Sequence, residues 1–544
     1  MYEERKATSN GSGRVPWRLC GNGDASRPQK GLRIALKRLC RNQGRDWRPA
    51  GGKVRHSPWR YLCPRLADVL FLAIFASVLL EGPHLFNADG DLGRHITIGR
   101  YILSTHSIPT RDLFSHTMAG QPLALHEWIA QVIFAWTHEV LSLGGPVLVT
   151  ALVLAACLSF LYYDSVRRSG LPLLSALFVL WAAAASTLHW LARPHVFTFG
   201  MLAVWTWLLE RVARNQRTPA WLFGACMLVW ANTHGAFLAG FAVWAIYLAS
   251  DIIEARGFRR PGRAKVLLSV GLVAFAATLV NPVGIDLWRT VFGFLSSSYL
   301  VSHTVEYQSP DFHSPNSWPF LLSTVLCIVA LAFNRKRVPL RYALLLGAWT
   351  GMGLYSARNI PLYAIVATPI LGDVTSGLVS SERWRAIETN ILRIDQSVRG
   401  WALPVLSILA AVVLLSTPAA QARNVFDPSL FPVHAVDWMQ EHHIKGRIYN
   451  HFPWGGYLLY RLWSGQLVFI DGQTDFYGEA LAREYLEIAT VSAGWEELLA
   501  KYQVGIVLVP TDSPLASALS QAKDWTRVYQ DRTAVILVST AYER

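Results

Sequence analysis

The chain is short of charge and of usable cysteine. Only 16% of its 544 residues are Asp, Glu, Lys or Arg, 52% are hydrophobic, and the mean hydropathy is +0.28. A soluble fold of this length carries about a quarter charged residues, so the composition excludes an ordinary water-soluble protein and makes a membrane its natural solvent. The six cysteines (Cys20, Cys40, Cys63, Cys157, Cys226 and Cys327) lie in the front segment or inside apolar stretches and include no CxxC pair. A zinc site and a disulfide framework are therefore not suggested. There is no P-loop, no GxGxxG and no internal repeat, so nothing points to a nucleotide site or a solenoid.

Acidic residues are also outnumbered, 36 against 50 Lys and Arg, giving a formal charge of +14. That excess is local: residues 1–65 hold sixteen Lys and Arg against four Asp and Glu, and the remainder is nearly neutral. This front segment has no apolar periodicity and is read as a disordered, basic cytoplasmic tail. Anionic lipid heads or nucleic acid would suit such a charge. The plainer role is to keep the first span oriented N-terminus-in, and no nucleic-acid partner is expected. The basic stretch is too long for a signal peptide.

What the sequence does have is apolar runs of spanning length, near residues 66–84, 144–163, 171–189, 195–210, 219–233, 235–252, 265–283, 317–333, 340–356, 358–373 and 401–417. The expected fold class is a polytopic α-helical membrane protein with about eleven transmembrane helices over residues 66–417. With the tail inside, every second connection carries the basic residues: Arg167 and Arg168; Arg211, Arg214 and Arg217; Arg256 to Lys265; Arg335 to Arg341; Arg383 to Arg399. That is the pattern of cytoplasmic loops, and an odd span count places the C-terminal segment on the outer side, periplasmic or extracellular. Residues 418–544 alternate β-rich runs (447–450, 467–471, 504–510 and 533–539) with a helical pattern at 479–501. They predict a small outward-facing α/β domain.

The complementary loops collect ionisable groups with no solubility purpose. The first outer loop, residues 85–143, holds NADGDLGRH and LHEW, and shorter turns hold LARPH, WANTHG, VEYQSPDF and YSARN. Polar groups at the lipid boundary are costly unless paired or lining a wet cavity, so this accumulation points to a site. Asp89 and Asp91 flank a glycine, with His126 and Glu127 later in the loop. Hard oxygen ligands with an imidazole suit a divalent metal, Mg²⁺ or Mn²⁺, at Asp91, Asp89 and His126, and a carboxylate left over can accept a proton from an attacking hydroxyl. Asp91, Asp89 and Glu127 are the candidate catalytic acids, although either aspartate can equally cap the helix that follows. Arg193 and Arg358 sit at outer ends of spans, where a guanidinium fork binds phosphate or merely snorkels to lipid heads. His195, His234 and Glu306 join the candidate binding set by location.

These motifs resemble the C-type membrane glycosyltransferases, which share a first outer loop with an acidic motif, many spans and often an outward C-terminal domain. DLGRHITIGRYI is similar to the stretch of the oligosaccharyltransferase catalytic subunit in which an Asp opens a helix on the loop, and this match gives Asp91 the catalytic, metal-associated place. PWGGYLLYRL followed by FIDGQTDFY is similar to that family's tryptophan-rich acceptor motif, but Gly455 and Gly456 stand where the motif carries an Asp. Recognition of a protein sequon is thus not implied, and Trp454, Tyr457 and Asp471 read as scaffold. Over residues 66–544 the order of DxD, HEW, RP, WxNxHG, NP and FIDG also resembles bacterial inner-membrane proteins described as glycosyltransferase-like.

The resemblance implies transfer of a sugar from a polyprenyl-phosphate donor to a glycan, lipid or protein acceptor on the outer face. Two other readings compete. A transporter or lipid flippase would place buried charges near mid-span, often in broken helices. A catalytically inactive relative acting as a binding protein would tolerate the missing acid at Gly455 and Gly456.

Overall fold

A computed structural model describes residues 63–258, 262–334, 338–398 and 400–541. Residues 1–62 of the basic tail read from the sequence, and the basic residues Arg259, Arg260, Arg335, Lys336, Arg337 and Arg399, lie outside the described residues.

Each of the eleven apolar runs is a helix: α1 (Leu66–Glu81), then, after two helices of the first loop, α4 (Gly144–Ser169), α5 (Pro172–Ser186), α6 (His195–Ala213), α7 (Ala220–Ala231), α8 (Phe237–Phe258) and α9 (Ala264–Thr278). An amphipathic α10 (Asp286–Ser296) precedes α11 (Trp318–Phe333), α12 (Leu340–Tyr355) and α13 (Ile360–Thr375); a polar α14 (Glu382–Ser397) precedes α15 (Ala402–Leu415). Local chemistry sets the ends. Gly170 closes α4 in a left-handed conformation (φ 70°), and Pro172 opens α5 at a position where its missing N–H costs nothing.

Among the described residues five of these helices are long and apolar enough to cross a membrane, or six if α14 and α15, bent by 67°, count as one span. α7 and α9 are apolar but shorter. Packing separates centre from rim. In α13 every residue but Asp373 is buried, whereas Leu272, Ile328, Phe333 and Val413 on outer helices are 71, 62, 71 and 65% exposed. Apolar side chains exposed on that scale around a helical bundle are tolerable against lipid rather than water.

The first loop carries the helix expected after Asp91 and a second one beyond it. It contains α2 (Asp91–Thr105) and α3 (Trp128–Leu141), packed on each other. α2 buries ten of its fifteen residues, and Asp91, Arg94, His95 and Thr97 go inside with Leu92, Ile96, Ile98 and Ile102.

The C-terminal segment carries α16 (Val433–Glu441), β1 (Ile448–Asn450), α17 (Gly455–Leu462), α18 (Thr474–Ala489), α19 (Trp495–Lys501), β2 (Ile506–Pro510), α20 (Pro514–Gln521), β3 (Trp525–Gln530) and β4 (Ala534–Ser539). The sheet runs β1-β2-β4-β3, with β1 parallel to β2 and the other pairs antiparallel. Its core stacks Tyr449 on Tyr485 (ring centroids 5.4 Å apart) beside Phe469, Leu481, Val507 and Leu537.

Three details differ from the sequence reading. Residues 467–471 form no sheet strand. The Asn450 side chain accepts the Phe469 N–H at 2.8 Å and donates to the Ile470 carbonyl at 2.9 Å, and the loop at Phe114 to Thr117 bonds to Val468 and Phe469. β3 was not anticipated because TRVYQ is an exposed edge with little apolar alternation. The helical pattern at 479–501 is two helices, parted where Val491 and Gly494 take positive φ.

Candidate active site

α2 begins at Asp91, so that carboxylate sits among the unpaired N–H groups at the positive end of the helix dipole. Asp89 does what a capping residue does, since its Oδ1 accepts the Asp91 N–H at 3.0 Å. Its other oxygen is directed at Arg193, which makes a close ion pair with it.

Arg193 gathers three acids. Its Nη2 stands 2.7 Å from Asp91 Oδ2 and its Nη1 2.8 Å from Glu306 Oε1, in addition to the Asp89 pair. The Arg193 turn is fixed in place because Ala192 N–H donates to the Leu85 carbonyl at 2.8 Å, tying the start of α6 to the first loop. Glu306 also faces Arg358, 3.6 Å away, and Arg358 donates to the Tyr307 hydroxyl at 3.0 Å. Arg358 Nη2 lies 3.4 Å from His234 Nε2, and the other nitrogen of that ring meets Thr198 Oγ1 at 2.9 Å. Asp89, Asp91, Arg193, Glu306, Arg358 and His234, chosen from sequence, are thus one connected constellation drawn from five separate segments.

The remaining candidates sit at its border. Glu127 is 3.8 Å from Arg94, 3.8 Å from His95 and 3.9 Å from His234. His195 donates from Nε2 to the His189 carbonyl at 2.7 Å and places its ring 6.3 Å from that of His234. His126 points elsewhere: its Nδ1 faces the Ala124 carbonyl at 3.3 Å, and a Cβ on Gly235 would stand 3.1 Å from its Nε2.

A second, buried layer was not chosen as a site from sequence. Arg94, 4% exposed, donates to Gln473 Oε1 at 3.1 Å, and its Nε stands 3.6 Å from Asp471 Oδ1. The signal was present in the motifs, since Arg94 and His95 interrupt a helix of the first loop and Asp471 and Gln473 belong to FIDGQTDFY. The expectation that Asp471 is plain scaffold is incomplete, because it is the carboxylate nearest the Arg94 Nε. Trp454 and Tyr457 do serve as scaffold: the indole donates to the Leu430 carbonyl at 2.9 Å, and the phenol accepts from Arg461 at 2.8 Å.

Gly455 and Gly456 have a steric reason. A Cβ on Gly456 would overlap the Gly90 carbonyl oxygen, and one on Gly455 would overlap the Ile470 carbonyl and stand 2.6 Å from the Asp471 Cα. α17 meets the start of α2 backbone to backbone, so no Asp fits there. Gly472 is the same case at the site itself: a Cβ there would collide with Asp91 Oδ1 and stand 2.5 Å from its Cγ.

The electrostatics favour an added positive charge. Among the described residues, the five acids Asp89, Asp91, Glu127, Glu306 and Asp471 share three guanidinium groups, those of Arg94, Arg193 and Arg358. Burial pushes Asp471 up to about 6 against the pull of Arg94, with Asp91 adding to the rise. Asp89 is likewise raised, to about 6, by burial that Arg193 only partly offsets. Burial also raises Glu127. Glu306 goes the other way, because Arg193 and Arg358 together outweigh its burial. His95 is held neutral by burial and by the adjacent Arg94.

A divalent ion therefore suits these residues in kind. In arrangement, the guanidinium of Arg193 already occupies Asp89, Asp91 and Glu306, and among the described residues no group of three His, Cys, Asp or Glu is placed to hold an ion.

The sequence matches no family model and no curated protein. The structure is similar to the oligosaccharyltransferase of Archaeoglobus fulgidus in its apo form, at 12% identity and a TM-score of 0.54, over 82% of this chain and 69% of that one. The same enzyme, AglB, in complex with an inhibitory peptide and a dolichol-phosphate, matches at 12% identity and a TM-score of 0.54 over 84 and 70%. A weaker likeness, to ArnT from Cupriavidus metallidurans bound to undecaprenyl phosphate (14% identity, TM-score 0.46, 86 and 97% covered), carries no argument. With its lipid-facing apolar helices, this membrane protein has the C-type fold of the membrane glycosyltransferases.

Proposed function

We propose that the chain is a glycosyltransferase that moves a sugar from a polyprenyl-phosphate donor to an acceptor on the outer face of the membrane. The observation that carries the reading is the constellation itself. Asp91, at the start of α2, is held 2.7 Å from Arg193 while Arg358 stands behind Glu306 at the same end of the bundle. The dolichol-phosphate in the AglB complex supports a lipid-phosphate donor for this fold. In this reading the protein lies in a bacterial inner membrane, its N-terminus is cytoplasmic, and residues 418–544 and the site face outward.

Arg193 and Arg358 bind the donor phosphate, and the polyprenyl tail stays in lipid beside the apolar helices. Asp91 accepts the proton of an acceptor hydroxyl as that oxygen forms its bond to the anomeric carbon; Glu127, raised by burial, is the alternative base. The bond from the anomeric carbon to the phosphate oxygen breaks, and its electron pair leaves on the carrier phosphate, whose charge the two arginines stabilise. Asp89 and Arg94 keep Asp91 and the FIDG segment in register. A divalent cation belongs to the proposal: Asp89 and Asp91 would be its ligands, and it would supply further neutralisation of the leaving group.

The transporter reading is less well supported, because the paired charges gather at helix ends and loops rather than at mid-span. The reading as an inactive relative rested on Gly455 and Gly456, which have a packing reason of their own. The test is transfer from a radiolabelled polyprenyl-phosphate sugar in membranes. Asp91→Asn is expected to abolish transfer with unchanged membrane abundance, and equal activity of variant and wild type would remove Asp91 from the mechanism.

A further inference from the structure

The polar helix α14 lies between apolar α13 and apolar α15, at the end of the bundle away from Asp91. Buried Glu388 accepts the N–H groups of Leu173 (2.8 Å) and Leu174 (3.2 Å) at the start of α5. Asp395, seven residues on, accepts the Leu66 N–H at 2.6 Å at the start of α1. The far ends of α5 and α1 lead to the Arg193 turn and to Asp89, so α14 closes the opposite ends of two helices that deliver the candidate site.

Capping consumes two of the three acids on this helix. It leaves exposed Arg383, Arg385 and Arg393 against exposed Glu382. Trp384, Ile387, Ile391 and Ile394 recur at spacings of three, four and three, on one stripe. Trp384, Ile387 and Ile394 are 40, 46 and 65% exposed. Arginines beside an apolar stripe ending in tryptophan are the composition of a helix that lies in a membrane interface. Orientation agrees. α15 leaves apolar Leu406, Leu409 and Val413 exposed, and α14 is bent 67° from it, so with α15 as a span along the membrane normal α14 lies closer to the membrane plane.

We propose that α14 is a docking surface for anionic phospholipid in the leaflet opposite the candidate site. The apolar stripe enters the headgroup–acyl boundary, and Arg383, Arg385 and Arg393 bind the headgroup phosphates. The inference does not depend on sugar transfer.

Two measurements on the full chain in nanodiscs test it. In a background with the six native cysteines replaced, nitroxides are placed at Ile394→Cys and, on the polar face, at Thr389→Cys. The first is expected to be open to oxygen and shielded from a water-soluble nickel chelate, the second the reverse. Second, the Arg383→Gln/Arg385→Gln/Arg393→Gln variant is titrated from phosphatidylcholine into phosphatidylglycerol. At low salt its preference for phosphatidylglycerol is expected to fall by about fivefold per arginine removed. Equal accessibility at the two labels would overturn the placement. An unchanged preference, or an equal loss for both lipids, would overturn the anionic specificity. The labelled single-site proteins keep their three arginines, so the first result stands even if the triple variant fails to fold.

Discussion

Gly472→Ala probes the candidate site through one methyl group. Nonbonded heavy atoms settle at roughly 3.5 Å, and the added Cβ would stand 2.5 Å from Asp91 Cγ and 2.8 Å from Oδ2. Because the same Cβ would overlap Asp91 Oδ1, either the carboxylate or the 471–473 segment must retreat by about 2 Å. That segment is anchored, since Gln473 N–H donates to Asp471 Oδ1 at 2.8 Å and the Gln473 side chain holds Arg94, so the carboxylate gives way and its 2.7 Å pair with Arg193 is lost. A 1 Å misplacement of a reacting group already costs about 10²-fold in rate, or about 2.7 kcal/mol of barrier. Transfer from a radiolabelled lipid-linked sugar, measured over a range of donor concentrations, is expected to show that loss in kcat, with KM moving little. Gly347→Ala in α12, where a Cβ meets nothing within 4 Å, is the matched control and should leave turnover unchanged. Wild-type kcat in a folded Gly472→Ala protein would refute the placement of Asp91 as the group that acts.

Arg193→Gln leaves Asp89, Asp91 and Glu306 without their common cation. Stranding buried acids costs about 3–5 kcal/mol, and with these side chains up to about a quarter exposed the loss should fall at the low end, read as a lowered Tm in detergent; adding Asp89→Asn should restore part of it. Transfer is expected to rise with pH through about 6 as Asp89 and Asp471 ionise, whereas stability moves the other way. Because both acids are raised on folding, the folded state holds more protons between about pH 4 and 6, and Tm should decline across that window; a flat profile in both assays would contradict these environments. Chelator is expected to suppress transfer, and Mg²⁺ or Mn²⁺ to restore it. Full turnover in chelator would leave Arg193 and Arg358 as the only cations acting on the phosphate.

The helices were legible because an apolar helix is a local property. Each of the runs that became α1, α4 to α9, α11 to α13 and α15 must satisfy its own backbone and cover it with apolar side chains, and both requirements are written within some twenty residues. β1, β2 and β4 were legible for the same local reason, β-branched runs between turns. Loops that gathered polar groups without a solubility role supplied the candidates, and Asp89, Asp91, Arg193, Glu306, Arg358 and His234 do meet in the structure.

Distance along the chain hid the rest. Arg94 and Gln473 pair across 379 residues, and neither end of that contact carries a pattern that names the other. The helix after Asp91 was legible, but the burial of Asp91, Arg94 and His95 beside its isoleucines was not, because partners brought from elsewhere satisfy them. Gly455 and Gly456 looked like a lost acidic motif until the backbones of α2, α17 and the FIDG segment were seen in contact. Sequence alone thus determined a polytopic helical protein with an acid-and-arginine cluster outside its spans. Only tertiary structure decided that Arg193 binds three acids at once and that a C-terminal glycine touches Asp91, because steric and ionic fit between remote segments exists only after they pack.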